Sequence, residues 1–262
     1  MIKFFRKIRQ KLLSKGKTGK YLKYAIGEII LVVVGILIAL QINNWNENLK
    51  NKRLETNYLI RISKDIENDV LEFDKAIRLA QERNDRVIFL QDIIEQPRLL
   101  RDSTDYFIQS IITAGYTYLP TISNHSFEEL KSSGRLSLIQ DETLRMLIAK
   151  YYDYTFSHTQ WKYLRESIQI RYNDLSRGIL NRQQMNWVLT NYYNPDSLSR
   201  ISEIELDVDG IYERFKTKKG FHSFLPEVFA DKYNDMKYIE TARIEAENLK
   251  KELNKKTKNN IR

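Results

Sequence analysis

Residues Leu59 to Ile94 read L-I-R-I-S-K-D-I-E-N-D-V-L-E-F-D-K-A-I-R-L-A-Q-E-R-N-D-R-V-I-F-L-Q-D-I-I, and their spacing decides the fold class. A stripe steps by three or four through Leu59, Ile62, Ile66, Val70, Phe73, Ile77, Ala80, Asn84, Val87, Gln91 and Ile94, ten steps over 35 residues. A mean spacing of 3.5 belongs to a coiled-coil or bundle seam, not to a strand, whose period is two. The pattern stops at Pro97, a residue that cannot donate to the helical ladder. Counted from Leu49, the helix would be about 70 Å long, too long to stand unsupported. Its stripe must pack on later helices of the chain or on a second copy.

Downstream, a second helix is expected from Ser103 to Ala114, followed by a turn over Gly115 to Pro120. Ser126-Phe127-Glu128-Glu129 fits the S-x-x-E capping box, in which serine and glutamate exchange hydrogen bonds with each other's backbone; Gly134 suits the stop. Asp141 is the next candidate N-cap, opening a helix to about Ser176 with Leu144, Ile148, Tyr151, Tyr154, Trp161, Leu164, Ile168 and Leu175 near its apolar face. This helix is the expected antiparallel partner of the first, with homodimerisation as the second option. Residues 181 to 225 are less regular, with turn signals at Asn194-Pro195-Asp196, Asp209-Gly210 and Lys219-Gly220. A last helix is read from Pro226 to Lys256 through Val228, Tyr233, Met236, Ile239, Ala242, Ala246, Leu249 and Leu253, with 257–262 as a disordered tail.

Upstream, Ala25 to Ile42 reads A-I-G-E-I-I-L-V-V-V-G-I-L-I-A-L-Q-I, wholly apolar from Ile29 to Leu40. As a helix it spans about 27 Å, close to the hydrocarbon thickness of a bilayer. Its twelve Ile, Leu and Val residues give an insertion gain of roughly 5 kcal/mol. Tyr21 and Tyr24 before it and Trp45 after it stand where an interfacial aromatic belt would. Residues 1 to 24 carry nine lysines and arginines and no acid, and they account for the whole net charge of +9: removing nine from 43 basic residues leaves 34 against 34 Asp plus Glu. A nucleic-acid footprint would be spread over a fold, so nucleic acid is set aside. By the positive-inside rule the basic end stays in the cytoplasm and the residues after Asn43 are exported. A buried core helix, a cleavable signal peptide and a buried parallel strand compete; Leu37-Ile38-Ala39 breaks the small-x-small cleavage pattern at its first position.

The expected organisation is therefore all-α: a basic cytoplasmic tail over 1–24, one transmembrane helix over 25–42, a periplasmic antiparallel helical bundle with a long first helix over 43–256, and the tail. Lys3, Arg6, Lys7, Arg9 and Lys11 are candidate contacts to the anionic membrane surface, on a segment whose Met1, Phe5, Ile8 and Leu12 share one helical stripe. Gly35 and Ala39, with Gly27 on a neighbouring stripe, are candidates for close helix pairing inside the bilayer. Glu28 is the one ionisable group there and reads as a boundary residue.

Chemistry is hard to find. Zero cysteines remove disulfides, thiol catalysis and Cys-ligated zinc. His125, His158 and His222 are far apart with no metal-ligand spacing. In Gly16-Lys17-Thr18 the first glycine of a phosphate loop would fall at position 11, a lysine. No catalytic, cofactor or metal residue is therefore assigned, and the chain is not expected to be an enzyme. The tyrosines at 151, 152, 154, 163, 172, 192 and 193 are expected to cover the core in preference to lining a ligand pocket. The partners expected are the lipid bilayer and a protein of unknown identity. The function expected is binding, scaffolding or assembly, with an unrecognised enzyme or a ligand-sensing partner as alternatives.

Four segments together resemble a known family: M-I-K-F-F-R-K-I-R at the start, G-K-T-G-K-Y-L-K-Y-A-I-G-E-I into the apolar run, G-I-L-I-A-L-Q-I-N-N-W-N out of it, and S-F-E-E-L-K-S-S-G-R-L-S-L-I from Ser126. The family is one of uncharacterised single-pass membrane proteins, a domain of unknown function, from Gram-negative bacteria of the Bacteroidetes kind. The likeness is dense over the first 55 residues and shorter over Phe127 to Ile139. It implies an inner-membrane anchor with the body in the periplasm, and it brings no activity, cofactor or catalytic residue with it.

Overall fold

The computed structural model describes residues 18–157, 159–192 and 207–261. Helices follow in the order α1 (Thr18–Glu95), α2 (Leu99–Asp102), α3 (Thr104–Thr113), α4 (His125–Ser132), α5 (Glu142–Ser157), α6 (Thr159–Ser176), α7 (Arg182–Tyr192), α8 (Val208–Thr217) and α9 (Lys219–Ile261), with a 3-10 turn at Leu136–Leu138. No strand occurs among the described residues, and the all-α expectation holds. The chain divides into two units, 1–57 and 58–262.

In the first unit α1 runs through the apolar stretch and on through Asn43 to Asn48, read from sequence as a polar exit. Asparagine costs only a few tenths of a kcal/mol per position in a helix, about 0.7 at most. The apolar side chains of this stretch are exposed: Ile29, Leu31, Leu37 and Ile42 each leave more than half their surface uncovered.

In the second unit the α1 stripe is filled from within the chain. Asp74 pairs with Arg243, Glu67 with Lys250 at 2.8 Å, and Ser63 with Asn254 at 3.1 Å. Each step forward in α1 meets an equal step back in α9, so the two run antiparallel in one register. Burial along α9 falls on Phe221, Leu225, Val228, Lys232, Asp235, Ile239, Ala242, Ala246, Leu249 and Leu253, alternating four and three. Along α1 it falls on Leu59, Ile62, Ile66, Asp69, Phe73, Ala76 and Ala80, alternating three and four. Both rows correct the sequence reading. The real rows pass through Asp69, Ala76, Leu90 and Ile93 where Val70, Ile77, Gln91 and Ile94 were expected, and through Lys232 and Asp235 where Tyr233 and Met236 were expected; Tyr233 is 45% exposed. The helix from Asp141, expected as the antiparallel partner of the first, supplies a further wall but runs parallel to α1: Asp141 meets Lys256, Tyr154 meets Tyr238 and Arg165 meets Asp235, so it is antiparallel to α9, which takes the partner's place. The helix from Asp141 is described as α5 and α6, with residue 158 outside the described residues.

Two apolar clusters result. One joins Tyr58 to Ala76 of α1 with Phe127, Leu130, Ile139, Leu144, Ile148, Tyr151, Tyr152 and the stretch Ile239 to Leu253. The other joins Val87, Leu90 and Ile93 with α3, Ile168 and Tyr172 of α6, and residues of α7, α8 and the first turns of α9. Between them, at the level of Arg86 in α1 and Lys232 and Asp235 in α9, the interior is polar. Arg165 and Asp235 form a buried ion pair, and Lys232, 1% exposed, reaches Asp231 at 2.9 Å and the Thr117 hydroxyl at 2.5 Å.

Local signals fared unevenly. Asp141 caps α5, its Oδ1 accepting from the Leu144 amide at 3.0 Å. Gly134, at φ +68°, closes α4 as a Schellman motif: the Arg135 amide reaches the Leu130 carbonyl at 3.0 Å and the Gly134 amide that of Lys131 at 3.1 Å. A Cβ there meets open space, so Gly134→Ala should cost only the left-handed backbone, about 1 kcal/mol. Urea unfolding of the full chain in detergent measures it. Asp209-Gly210, read as a turn, lies inside α8, whose N-cap Asp207 accepts from the Gly210 amide at 2.9 Å. The last helix starts at Lys219, with Pro226 inside it, and continues to Ile261 through residues expected to be a tail. Burial of Phe221, Phe224, Leu225 and Val228 outweighs the ladder bond that proline removes.

Candidate functional site

The non-helical segment after α3, residues 114–124, has almost no backbone hydrogen bonds of its own beyond its first turn. Buried backbone groups must be satisfied somewhere, and here side chains of the surrounding helices do it. The Thr117 amide donates to Gln169 Oε1 of α6 at 3.3 Å. Tyr118 donates its hydroxyl to Glu72 at 2.6 Å, and its ring lies under the Lys75 ammonium, 4.5 Å from the centroid. The Ser123 amide donates to Asp69 Oδ1 at 2.6 Å, and its carbonyl accepts from the Tyr152 hydroxyl at 3.2 Å. Just inside α4, the Ser126 amide donates to Asp65 Oδ2 at 3.2 Å. Glu129, one turn on, accepts from Tyr58 at 2.8 Å and from Arg61.

Read in order, Tyr118, Ser123, Ser126 and Glu129 meet Glu72, Asp69, Asp65 and the Tyr58/Arg61 pair. The segment is a strap laid antiparallel along α1, and its rungs are the carboxylates at 65, 69 and 72, one and two turns apart. This corrects the capping box. Asn124 is the N-cap of α4, without a side-chain cap; an orphan amide of its first turn is satisfied by Asp65 from α1, and Glu129 is turned toward α1.

Asp69 is the centre of the arrangement and is fully buried. Its second oxygen accepts from the Tyr151 hydroxyl at 2.8 Å. Burial pushes its carboxyl up to about 6, against the pull of the Ser123 and Tyr151 donors and with a further push from Asp65. Tyr151 is pushed up in turn by burial and by the Asp69 charge. Glu72 and Glu129 sit near the surface and are held below the usual carboxylate range by Tyr118 and by Arg61, respectively. Tyr152 stacks on Phe127, centroids 4.5 Å apart, and fastens the base of α4 to α5.

The tyrosines whose side chains are described divide as packing and lining; the side chains of Tyr163 and Tyr192, and the whole of Tyr193, lie outside the described residues. Tyr172 is buried and donates to the Ser110 and Ile111 carbonyls at 3.1 and 3.0 Å. Tyr151 and Tyr154 border a small apolar cleft of about 160 Å³ between α5 and α9, with Leu147 and Leu249. His125 opens α4 and His222 lies 2.6 Å from the Phe215 carbonyl. No group of three metal-ligating side chains occurs among the described residues. Gly27, Gly35 and Ala39 lie on the exposed part of α1, with nothing within 4 Å of a Cβ at either glycine. Lys3, Arg6, Lys7, Arg9 and Lys11 fall outside the described residues.

A family model described as a family of unknown function, DUF6090, matches residues 28–191. The chain belongs to this family. The matched stretch takes in the apolar part of α1, the acidic ladder, the strap and α4 to α6, while α8 and α9, which complete both apolar clusters, lie beyond it. No curated protein and no solved structure matches the chain.

Proposed function

We propose that this member of the family is a single-pass protein of the inner membrane, of the Bacteroidetes kind, whose helical body works in the periplasm by binding, as a scaffold or assembly module for a protein partner. The observation that carries the anchor is an apolar window at the start of α1, long enough to cross a bilayer, in which no residue is buried. A core helix of a soluble protein would bury such a window, since about 25 cal/mol is gained per Å² of apolar surface removed from water. Nine cations precede it with no acid among them, and that asymmetry orients the body outward. Binding in preference to turnover is supported by the polar interior: its carboxylates and cations are spent on holding helices and strap together. Gly35 and Ala39 are offered as the contact for a second transmembrane helix, and the basic residues from Lys3 to Lys11 as contacts to the inner leaflet.

Topology tests this reading. A periplasm-active phosphatase joined after Arg262 should be active, and a fluorescent protein that matures only in the cytoplasm should be dark at the same place. The reverse pattern would sink it.

A further inference from the structure

Where α5 and α9 lie side by side, the outer edge of their contact is a groove. Positions 143, 147, 150 and 154 of α5 line one wall, and positions 241, 245, 248, 252, 255 and 259 of α9 line the other. Both rows alternate three and four, so each keeps to one side of its helix. From Thr241 to Asn259 the groove is about 27 Å long. Its two halves differ in character. One is the apolar slot of about 160 Å³ with Leu147, Tyr151, Tyr154 and Leu249. The other is a charged basin of about 320 Å³ with Asp141, Glu252, Lys255 and Lys256. They meet at Leu147 and Glu252, which line both.

Size and charge decide what such a groove takes. An apolar cavity of about 150 Å³ accepts a benzene ring, so the slot has room for one aromatic or leucyl side chain and too little for the paired acyl chains of a phospholipid. In the basin Asp141 is engaged twice, by the Leu144 amide and by Lys256 at 3.5 Å. Lys255 stands 4.0 Å from Glu252, at the edge of ion-pairing distance, and its side chain is 74% exposed, which leaves its ammonium open to a carboxylate. The apolar surface also extends past the slot. Met146 on α5 and Ile244 on α9, next to lining positions 147 and 245, leave 65% and 55% of their surface uncovered, and covering such surface is favourable.

We propose that this groove receives an amphipathic helix of a protein partner, which places one aromatic or leucyl side chain in the slot and a carboxylate seven residues away on Lys255. The spacing is that of the groove itself: Asn248 at the slot and Lys255 in the basin are two turns of α9 apart, as Lys150 and Thr143 are on α5, and two turns are about 10.5 Å on any helix laid along them. Anchors at i, i+3, i+4 and i+7 are how a helix is read by a groove. A second copy of the chain is a poorer occupant, since on the outward face of α1 the exposed Ile60 and Leu71 are separated by the exposed Lys64 and Glu67. The assignment rests on the body being a binding module, and the groove is then the surface it binds with.

Photocrosslinking in living cells tests the groove on the full chain. A benzophenone amino acid takes the place of Met146 or Ile244 at the rim or, as controls, of Leu71 on α1 or Ile170 on α6, which are comparably exposed and lie off the groove. The rim positions should give a protein adduct and the controls none, and mass spectrometry should place the adduct on a helical segment with an aromatic or leucine residue seven positions from an acid. A synthetic peptide of that segment should bind the purified chain in lipid nanodiscs. Its affinity should fall about tenfold or more in Leu147→Glu, which sets a charge where the anchor side chain enters, and several-fold, with a weaker salt dependence, in Lys255→Glu. Leu147 is 38% exposed and Lys255 lies at the surface, so unchanged urea midpoints are expected; if Leu147→Glu lowers the midpoint, Lys255→Glu decides. Protein adducts from the control positions alone would overturn the groove and leave the binding reading standing, whereas no protein adduct from any position would overturn both. Adducts to lipid only, adducts to a second copy of the chain, or a peptide that binds the variants as tightly as the wild type would each overturn the groove as well.

Discussion

Gly115→Ala is expected to destabilise the body by about 3 kcal/mol or more, at the upper edge of what overpacking usually costs. A Cβ at this position would overlap Cγ and Cδ1 of Tyr172 and stand 2.8 Å from its Cβ. The ring cannot step aside. Tyr172 is fully buried, meets Phe221 edge to face at 5.0 Å, and spends its hydroxyl on two carbonyls at the end of α3. Glycine is required here for room, and because α6 must come this close if Tyr172 is to close off α3 where the strap begins. The urea midpoint of the full chain should fall in Gly115→Ala. In Tyr172→Leu, which empties part of the space, adding the alanine should cost less than it does in the wild type; a coupling of this sign identifies the clash as the cause. Equal costs in both backgrounds would mean that the backbone of the strap, and not the ring, is what fails.

The way the sequence misled is itself physical. Long helices, the stop near Pro97, the Asp141 cap and the Gly134 stop were all legible, because period and cap chemistry are local; the antiparallel partner of α1 was not, because choosing between the helix from Asp141 and α9 depends on contacts distant in sequence. The seams were read one residue out at Ala76, Leu90 and Ile93, where the inward residue is apolar like many of its neighbours, and at Asp69, Lys232 and Asp235, where the inward residue is charged. A search for apolar residues at helical spacing steps sideways onto Val70, Tyr233 or Met236 when the position that faces inward is charged. The alternation of three and four was present in the sequence, but only burial shows that it passes through charge. The capping box failed differently. Ser126 and Glu129 had the right spacing, yet a fully local pair competes with donors and acceptors from other parts of the fold, and Asp65, Tyr58 and Arg61 are brought to them by α1. An i, i+4, i+7 row of acids at 65, 69 and 72 was there to be noticed; as sequence alone it reads as a solvated face. Pro226 and Asp209-Gly210 were read as boundaries because backbone preference was weighed without the burial that overrides it.

The same polar interior supplies the second large effect. Asp235→Ala should cost about 3–5 kcal/mol, the usual penalty for removing one partner of a buried ion pair. Arg165 and Asp235 are each nine-tenths buried, and Lys232 lies one turn away on the same face of α9. With Asp235 gone, two buried cations are left with Asp231, which is already 2.9 Å from Lys232. Burial pushes the Asp235 carboxyl up to about 6 even though Arg165 pulls it down, so desolvation is the largest influence on this group. Replacing both partners together, Arg165→Met with Asp235→Leu, should therefore return the urea midpoint to near the wild-type value or above it. The contribution expected of the pair is register. Outside this layer the rows on α1 and α9 are apolar except at Asp69, and a slide of one turn would still bury leucine on alanine. It would also separate Asp235 of α9 from Arg165 of α6 and Lys232 from the Thr117 hydroxyl. The double variant should accordingly keep its stability and lose definition, with faster amide exchange spread along α9 between Val228 and Ala242. A double variant that is as destabilised as Asp235→Ala would show that the layer contributes packing and charge energy that the apolar side chains cannot replace.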